Sequence, residues 1–153
     1  MNIIIGSDHA GISHKSYLIK YLSSLGHQVT DIGTNSPQSI DYPDIGIKGA
    51  EGLLQKKAEL GILICGTGIG MSLTANKFPG IRAAVCHKPE IAALTKQHND
   101  ANILCLGARF LNKEECAKIA KAFIDTPKSK EERHLRRVQK IKGIEERICK
   151  RGY

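Results

Sequence analysis

The run Leu60-Gly61-Ile62-Leu63-Ile64-Cys65-Gly66-Thr67-Gly68-Ile69-Gly70-Met71 passes directly from continuous apolar residues into alternating glycines. Apolar residues without polar alternation describe a strand buried on both faces, the environment of a parallel sheet covered by helices on either side. Glycines at its carboxyl end let backbone N–H groups come close to a ligand at the start of the next helix, so an anion site is expected there. Outward from this run, β-rich apolar stretches recur at 3–6, 29–33, 83–86 and 103–107, with helical segments expected at about 12–25, 44–57, 69–77, 89–97 and 113–124. Asn112 ahead of Glu114 and Glu115 marks the start of the last of these. The pattern predicts an α/β chain with a five-stranded parallel sheet.

Beyond Pro127, residues 129–150 predict one long C-terminal helix with an apolar stripe of Val138, Ile141, Ile144 and Ile148. Arg133 and Arg137 travel in or beside that stripe and Arg136 lies well off it. Such a helix must pack on something, its own sheet or a second subunit. The 153 residues make one domain, 1–153, and 41% hydrophobic with 25% charged residues excludes collagen-like, disordered and disulfide-scaffold classes. No apolar run approaches the roughly 18 residues of a membrane helix and residues 1–6 carry no basic segment, so neither a span nor a signal peptide is expected and the compartment is the cytoplasm. Cys65, Cys86, Cys105, Cys116 and Cys149 are an odd set without a C-x-x-C pair, which predicts reduced thiols. Residues 109–153 hold 14 Lys/Arg against 7 Asp/Glu, whereas residues 1–108 hold 9 against 8. A basic C-terminal third implies an anionic partner: nucleic acid, a membrane surface or a phosphorylated small molecule.

The glycines do not fit a dinucleotide fingerprint, because the third falls one residue early and His87 stands where an acid should end the next strand. Cys65, last before the glycines and at a helix start, occupies a place that favours a thiolate base or nucleophile. Cys86 and Cys105 read as buried strand residues. Gly6-Ser7-Asp8-His9-Ala10-Gly11 brings an acid and an imidazole to the same sheet edge; Ile12 and Ser13 replace the Lys-Ser/Thr that a P-loop needs. Asp8 serves there either as a helix cap or in acid–base chemistry. His98, closing the fourth helix before the fifth strand, lies at the opposite edge, and a five-residue strand spans about 17 Å. It is therefore a helix-terminal histidine or serves a neighbouring subunit's site. His14, His27 and His87 read as ordinary surface or packing residues, while Arg109 returns to the ligand edge and with Arg133 and Arg137 could clamp a phosphate.

Together, residues 6–11, Asp41-Tyr42-Pro43, Ile64 to Gly70, Ala75-Asn76-Lys77, residues 80–84, Gln97-His98-Asn99-Asp100 and Arg133-His134 with Arg137 closely resemble the ribose-5-phosphate isomerase B family, which includes galactose-6-phosphate and allose-6-phosphate isomerases. The resemblance covers nearly the whole chain. It implies a Rossmann-like three-layer domain, aldose–ketose isomerisation without metal or cofactor, and a homodimer or tetramer whose sites lie between subunits, with the C-terminal helix on the partner. By position, Cys65 resembles the base at C2 and the backbone of Gly66, Thr67, Gly68, Ile69 and Gly70 the enediolate hole. His98 from the partner resembles the group that opens the furanose ring, with Asp8 and Thr67 near ring and hydroxyl oxygens and Asn99 near the enediolate. His9, Arg133 and Arg137, with Arg109 from the partner, resemble phosphate contacts, and Tyr42 a pocket residue. Members with Ser at the cysteine position carry Glu four residues later; Cys65 and Ile69 place this chain in the other subtype. The galactose enzymes divide the site residues between two different subunits, whereas this chain carries the full set, so a ribose 5-phosphate isomerase is expected, with a six-carbon aldose 6-phosphate as the alternative substrate. Nucleic acid is disfavoured as the partner by 5% aromatics and no nucleic-acid motif.

Overall fold

Strands and helices alternate as the apolar runs predict: β1 (Asn2–Ser7), α1 (Ile12–Ser24), β2 (Gln28–Asp31), α2 (Tyr42–Leu54), β3 (Leu60–Cys65), α3 (Ile69–Ala75), β4 (Ala83–Val85), α4 (Pro89–Asn99), β5 (Ile103–Gly107), α5 (Lys113–Asp125) and α6 (Glu132–Arg151). The computed structural model describes residues 1–151. All strands are parallel, in the order β2-β1-β3-β5-β4. The continuous apolar runs are accounted for by burial on both faces. Ile62, Ile64, Leu104 and Leu106 face α1, α4 and α5, while Leu63, Cys65, Ile103 and Cys105 face α2 and α3. This is the three-layer α/β architecture, and β1 beside β3 makes the reversal of strand order at whose carboxyl end ligands bind.

Element ends differ from expectation for identifiable reasons. Helix α2 begins at Tyr42 rather than 44, because Pro43 falls in the first turn where its missing N–H costs nothing. Strand β2 stops at Asp31, whose carboxylate accepts from Gly33 N–H at 2.9 Å and turns the chain. Helix α3 stops at Ala75 because Asn76 turns its amide to β4, accepting from Ala83 N–H and donating to Ala83 O, both at 2.8 Å. Helix α6 begins at Glu132, not 129, after a turn in which Ser129 Oγ accepts from Glu131 N–H. A short 3₁₀ turn, His9–Gly11, joins β1 to α1.

Lys15 on α1 is fully buried, with Nζ 2.9 and 2.7 Å from the Asp31 carboxylate oxygens, 2.9 Å from Thr34 O and 2.8 Å from Asn35 Oδ1. It ties α1 to the loop that leads to Tyr42. Because Asp31 keeps some solvent contact, Lys15→Met is expected to lower unfolding free energy by about 3 kcal/mol, the low end for breaking a buried ion pair. Urea titration checks this, with the exposed Lys20→Met as a control near zero.

Candidate active site

The carboxyl ends of β1 and β3 are stitched together by Asp8 N–H donating to Ile64 O at 3.2 Å. Asp8 itself is buried, and its Oδ1 accepts from Ala10 N–H at 2.9 Å, so it caps the 3₁₀ turn. The helix-cap reading of this residue is the one the hydrogen bonding shows. His9 Nδ1 accepts from Ile40 N–H at 3.3 Å and fastens the loop after β2 beside the same edge.

Cys65 is buried at the end of β3, and Gly68 N–H donates to its Sγ at 3.1 Å. An N–H aimed at sulfur is the donor a thiolate uses. The turn that delivers it needs glycine: Gly68 has φ +79°, and a Cβ there would lie 3.0 Å from the Leu106 carbonyl carbon. Thr67 Oγ1 accepts from Ile69 N–H at 3.2 Å, closing the loop's other side. Gly70 lets the Tyr42 ring settle against it, since a Cβ would stand 2.6 Å from that ring. Cys86 and Cys105 behave as buried strand thiols: burial pushes Cys86 up to about 11 and Cys105 well above the usual thiol range. Burial likewise raises Cys116 to about 12. None of these three ionises near neutral pH.

Arg109 lies at this edge too, its guanidinium 3.1 Å from where a Cβ of Gly66 would stand. His98 does not. It sits in the last turn of α4, beside Asn99, whose carbonyl accepts from Arg82 Nε at 3.1 Å just before β4. That is the amino end of a sheet whose β3–β5 register pairs Cys65 with Gly107 at the other end. His98 stacks on His134 of α6, with ring centroids 4.2 Å apart and planes within 6°. Arg133 and Arg137 share that part of α6, so they travel with His98, and Arg109 with Cys65. The resemblance groups these arginines the opposite way, bringing Arg109 from the partner.

The stripe on α6 is also rotated from expectation. His134 and Val138 are its buried residues, Arg133 and Arg137 are exposed, and α6 leans on its own α4. Ile141, Ile144 and Ile148 remain 37%, 46% and 44% exposed along a groove of ≈ 440 Å³ that Ile81, Ala84 and Asn99 also line. The burial of His134 is not legible from the sequence because a lone histidine beside arginines reads as part of a solvated face; its place one turn before Val138 is the available signal. Among the described residues no helix is long and apolar enough to cross a membrane, and no cluster of three His, Cys, Asp or Glu is arranged to hold a metal.

The model of the Ribose/Galactose Isomerase family matches residues 3–141. Ribose-5-phosphate isomerase B of Escherichia coli K12 is 41% identical over 145 residues, covering 95% of this chain and 97% of its own. The solved structure of ribose-5-phosphate isomerase B from Clostridium thermocellum superposes with a TM-score of 0.92 at 44% identity, covering 96% of this chain and 99% of that one. The enzyme of Mycoplasma genitalium, solved with ribulose 5-phosphate bound, gives 0.90 at 39% identity, covering 95% and 96%. With the family model spanning all five strands and the first half of α6, the chain belongs to the ribose/galactose isomerase family.

Proposed function

We propose that the protein interconverts D-ribose 5-phosphate and D-ribulose 5-phosphate through a cis-enediolate, in the cytoplasm, as a step of pentose phosphate metabolism. The observation that carries this is the meeting of Cys65 Sγ with Gly68 N–H beside Asp8 at the β1/β3 edge. An α-hydroxy-carbonyl proton is weakly acidic, so a base must work next to donors already aimed at the developing oxyanion, each worth about 3 to 4 kcal/mol. Cys65 as thiolate takes the C2 proton. The negative charge moves onto O1 against N–H groups of Gly66 to Gly70, Asp8 and Thr67 carry the hydroxyl proton between oxygens, and the thiol returns its proton to C1. Before this, His98 gives a proton to the furanose ring oxygen while the ring opens. No cofactor takes part in these steps, and the five free thiols fit a reducing compartment.

His98 and Asn99 come from the other subunit of a homodimer in this reading. Support comes from their distance from Cys65 in their own chain and from apolar side chains left bare near both: Ile91 and Leu94 on the His98 helix, and Leu73 and Phe110 near the glycine loop, Phe110 at 76% exposure. His9 and the arginines hold the phosphate, which orients a substrate with few other handles. Neither nucleic acid nor membrane is a partner. The test is a coupled assay offering ribose 5-phosphate, allose 6-phosphate and galactose 6-phosphate side by side. The highest kcat/KM is expected with ribose 5-phosphate, and a preference for either hexose would reassign the substrate.

Within this reading, Arg137→Ala should raise KM sharply, by about 1.5 to 3 kcal/mol of lost charge-assisted bonding, whereas Arg136→Ala should do little. Arg137 shares the His134 side of α6 and Arg136 points away. Steady-state kinetics on both variants decides it; equal effects would refute the assignment.

A further inference from the structure

Among the described residues no hydrogen bond holds the His98 ring, although an acid–base histidine is commonly fixed by a bond to its second nitrogen. What holds it is a face, the parallel ring of His134 at 4.2 Å. His134 is 3% exposed between exposed Arg133 and Leu135. Its Nδ1 is buried without a partner, and its Nε2 lies 3.7 Å from Glu131 Oε2, too far for a hydrogen bond. An unpaired buried nitrogen is destabilising, and leucine would fill the position without that cost. The position therefore answers to something other than packing.

We propose that His134 is a positioning residue for His98: its imidazole plane sets the orientation of the His98 ring by stacking and leaves both His98 nitrogens free for the sugar. This rests on the reading of His98 as the ring-opening group. A stack of two imidazoles tolerates one cation but not two, because like charges this close repel. The surroundings of His134 favour its neutral form. Burial first, then His98, Arg133 and Arg137, hold it below the ordinary histidine range, against the opposite pull of Glu131. Asp100, Lys128 and Lys142 line a small cavity together with His134. A neutral ring keeps its face available to His98 before and after the proton leaves.

Two reactions of one active site separate positioning from folding. Isomerisation of ribose 5-phosphate requires ring opening. Exchange of the C1 proton of ribulose 5-phosphate with solvent deuterium does not, since phosphorylation of O5 prevents that ketose from closing a furanose. His134→Leu is expected to lower kcat on ribose 5-phosphate about tenfold with KM nearly unchanged, and to leave the exchange rate intact. His134→Phe, which restores a plane, should recover most of the loss. Independently of activity, NMR titration of the protein without substrate should show the His134 midpoint rising in His98→Asn, since His98 is one cause of its depression. Equal loss of both reactions in His134→Leu, no loss, no recovery with Phe, or an unmoved midpoint each overturns the proposal. Wild-type turnover of ribose 5-phosphate by His98→Asn would instead remove the ring-opening role of His98, and the proposal with it.

Discussion

Cys65→Ala is expected to reduce interconversion of ribose 5-phosphate and ribulose 5-phosphate by about a thousandfold or more while leaving sugar-phosphate binding close to wild type. The variant removes the proposed base but not the proposed phosphate contacts or the glycine loop, whose backbone is also held by Ala108 N–H to Cys65 O at 2.9 Å and Arg109 N–H to Gly66 O at 3.1 Å. The cavity left is small, and Cys65 packs among Leu63, Met71 and Cys105, so the fold survives. Calorimetric titration with ribose 5-phosphate measures binding, and deuterium incorporation at C1 and C2 measures the proton transfer. Exchange near the wild-type rate would move the role to another residue. Alkylation adds a second view: iodoacetamide should inactivate the enzyme, and bound substrate should slow this. Cys149 is exposed and reacts too, so the assay is done in Cys149→Ser, where inactivation must persist.

Mixing two inactive proteins should restore activity. Cys65→Ala and His98→Ala, each nearly dead alone, are exchanged under conditions that dissociate and reassociate subunits. In a two-fold dimer whose sites each join Cys65 of one chain to His98 of the other, a mixed dimer holds one doubly defective site and one intact site. Random pairing makes half the dimers mixed, so about a quarter of wild-type activity returns. If native mass spectrometry shows full exchange while activity stays at the level of the single variants, His98 acts within its own chain or has no part in the reaction. The large recovery follows from the sheet itself, which keeps the two residues at opposite ends of its strands.

The parts of this molecule most legible in its sequence are those whose cause is local. Strands β1, β3 and β5 announce themselves through uninterrupted apolar residues, because burial on both faces leaves no room for alternation. The loop from Cys65 to Gly70 is legible because only glycine tolerates the approaches of Leu106 and Tyr42. Less legible were residues whose role depends on a distant partner. Lys15 reads as the solvated side of an amphipathic helix, and nothing near it in sequence reveals Asp31, Thr34 and Asn35 converging on its amine. Lys96 is similar: buried, bonded to Ala101 O at 3.1 Å and lying over the Phe123 ring. The phase of α6 was misread because the isoleucines define a broad stripe, and its true centre is marked by His134, which hydropathy counts as polar.

Asn76 has a consequence for how copies of this chain meet. Strand β4 is outermost on its side of the sheet, and the outward peptide groups of Ala83 are already answered by the Asn76 amide. On the inner turn of the chain before it, Asn102 does the same for Arg82 N–H and Gly80 O, each at 2.8 Å. An edge whose first outward residue is capped by a side-chain amide leaves only a short stretch of β4 free to pair, a poorer template for a strand from another molecule. Asn76 is also the residue that ends α3, the helix launched by the glycine loop. Asn76 therefore couples the docking of α3 to the cover of Ala83 at the sheet edge, so a chain in which α3 is undocked would present that edge bare.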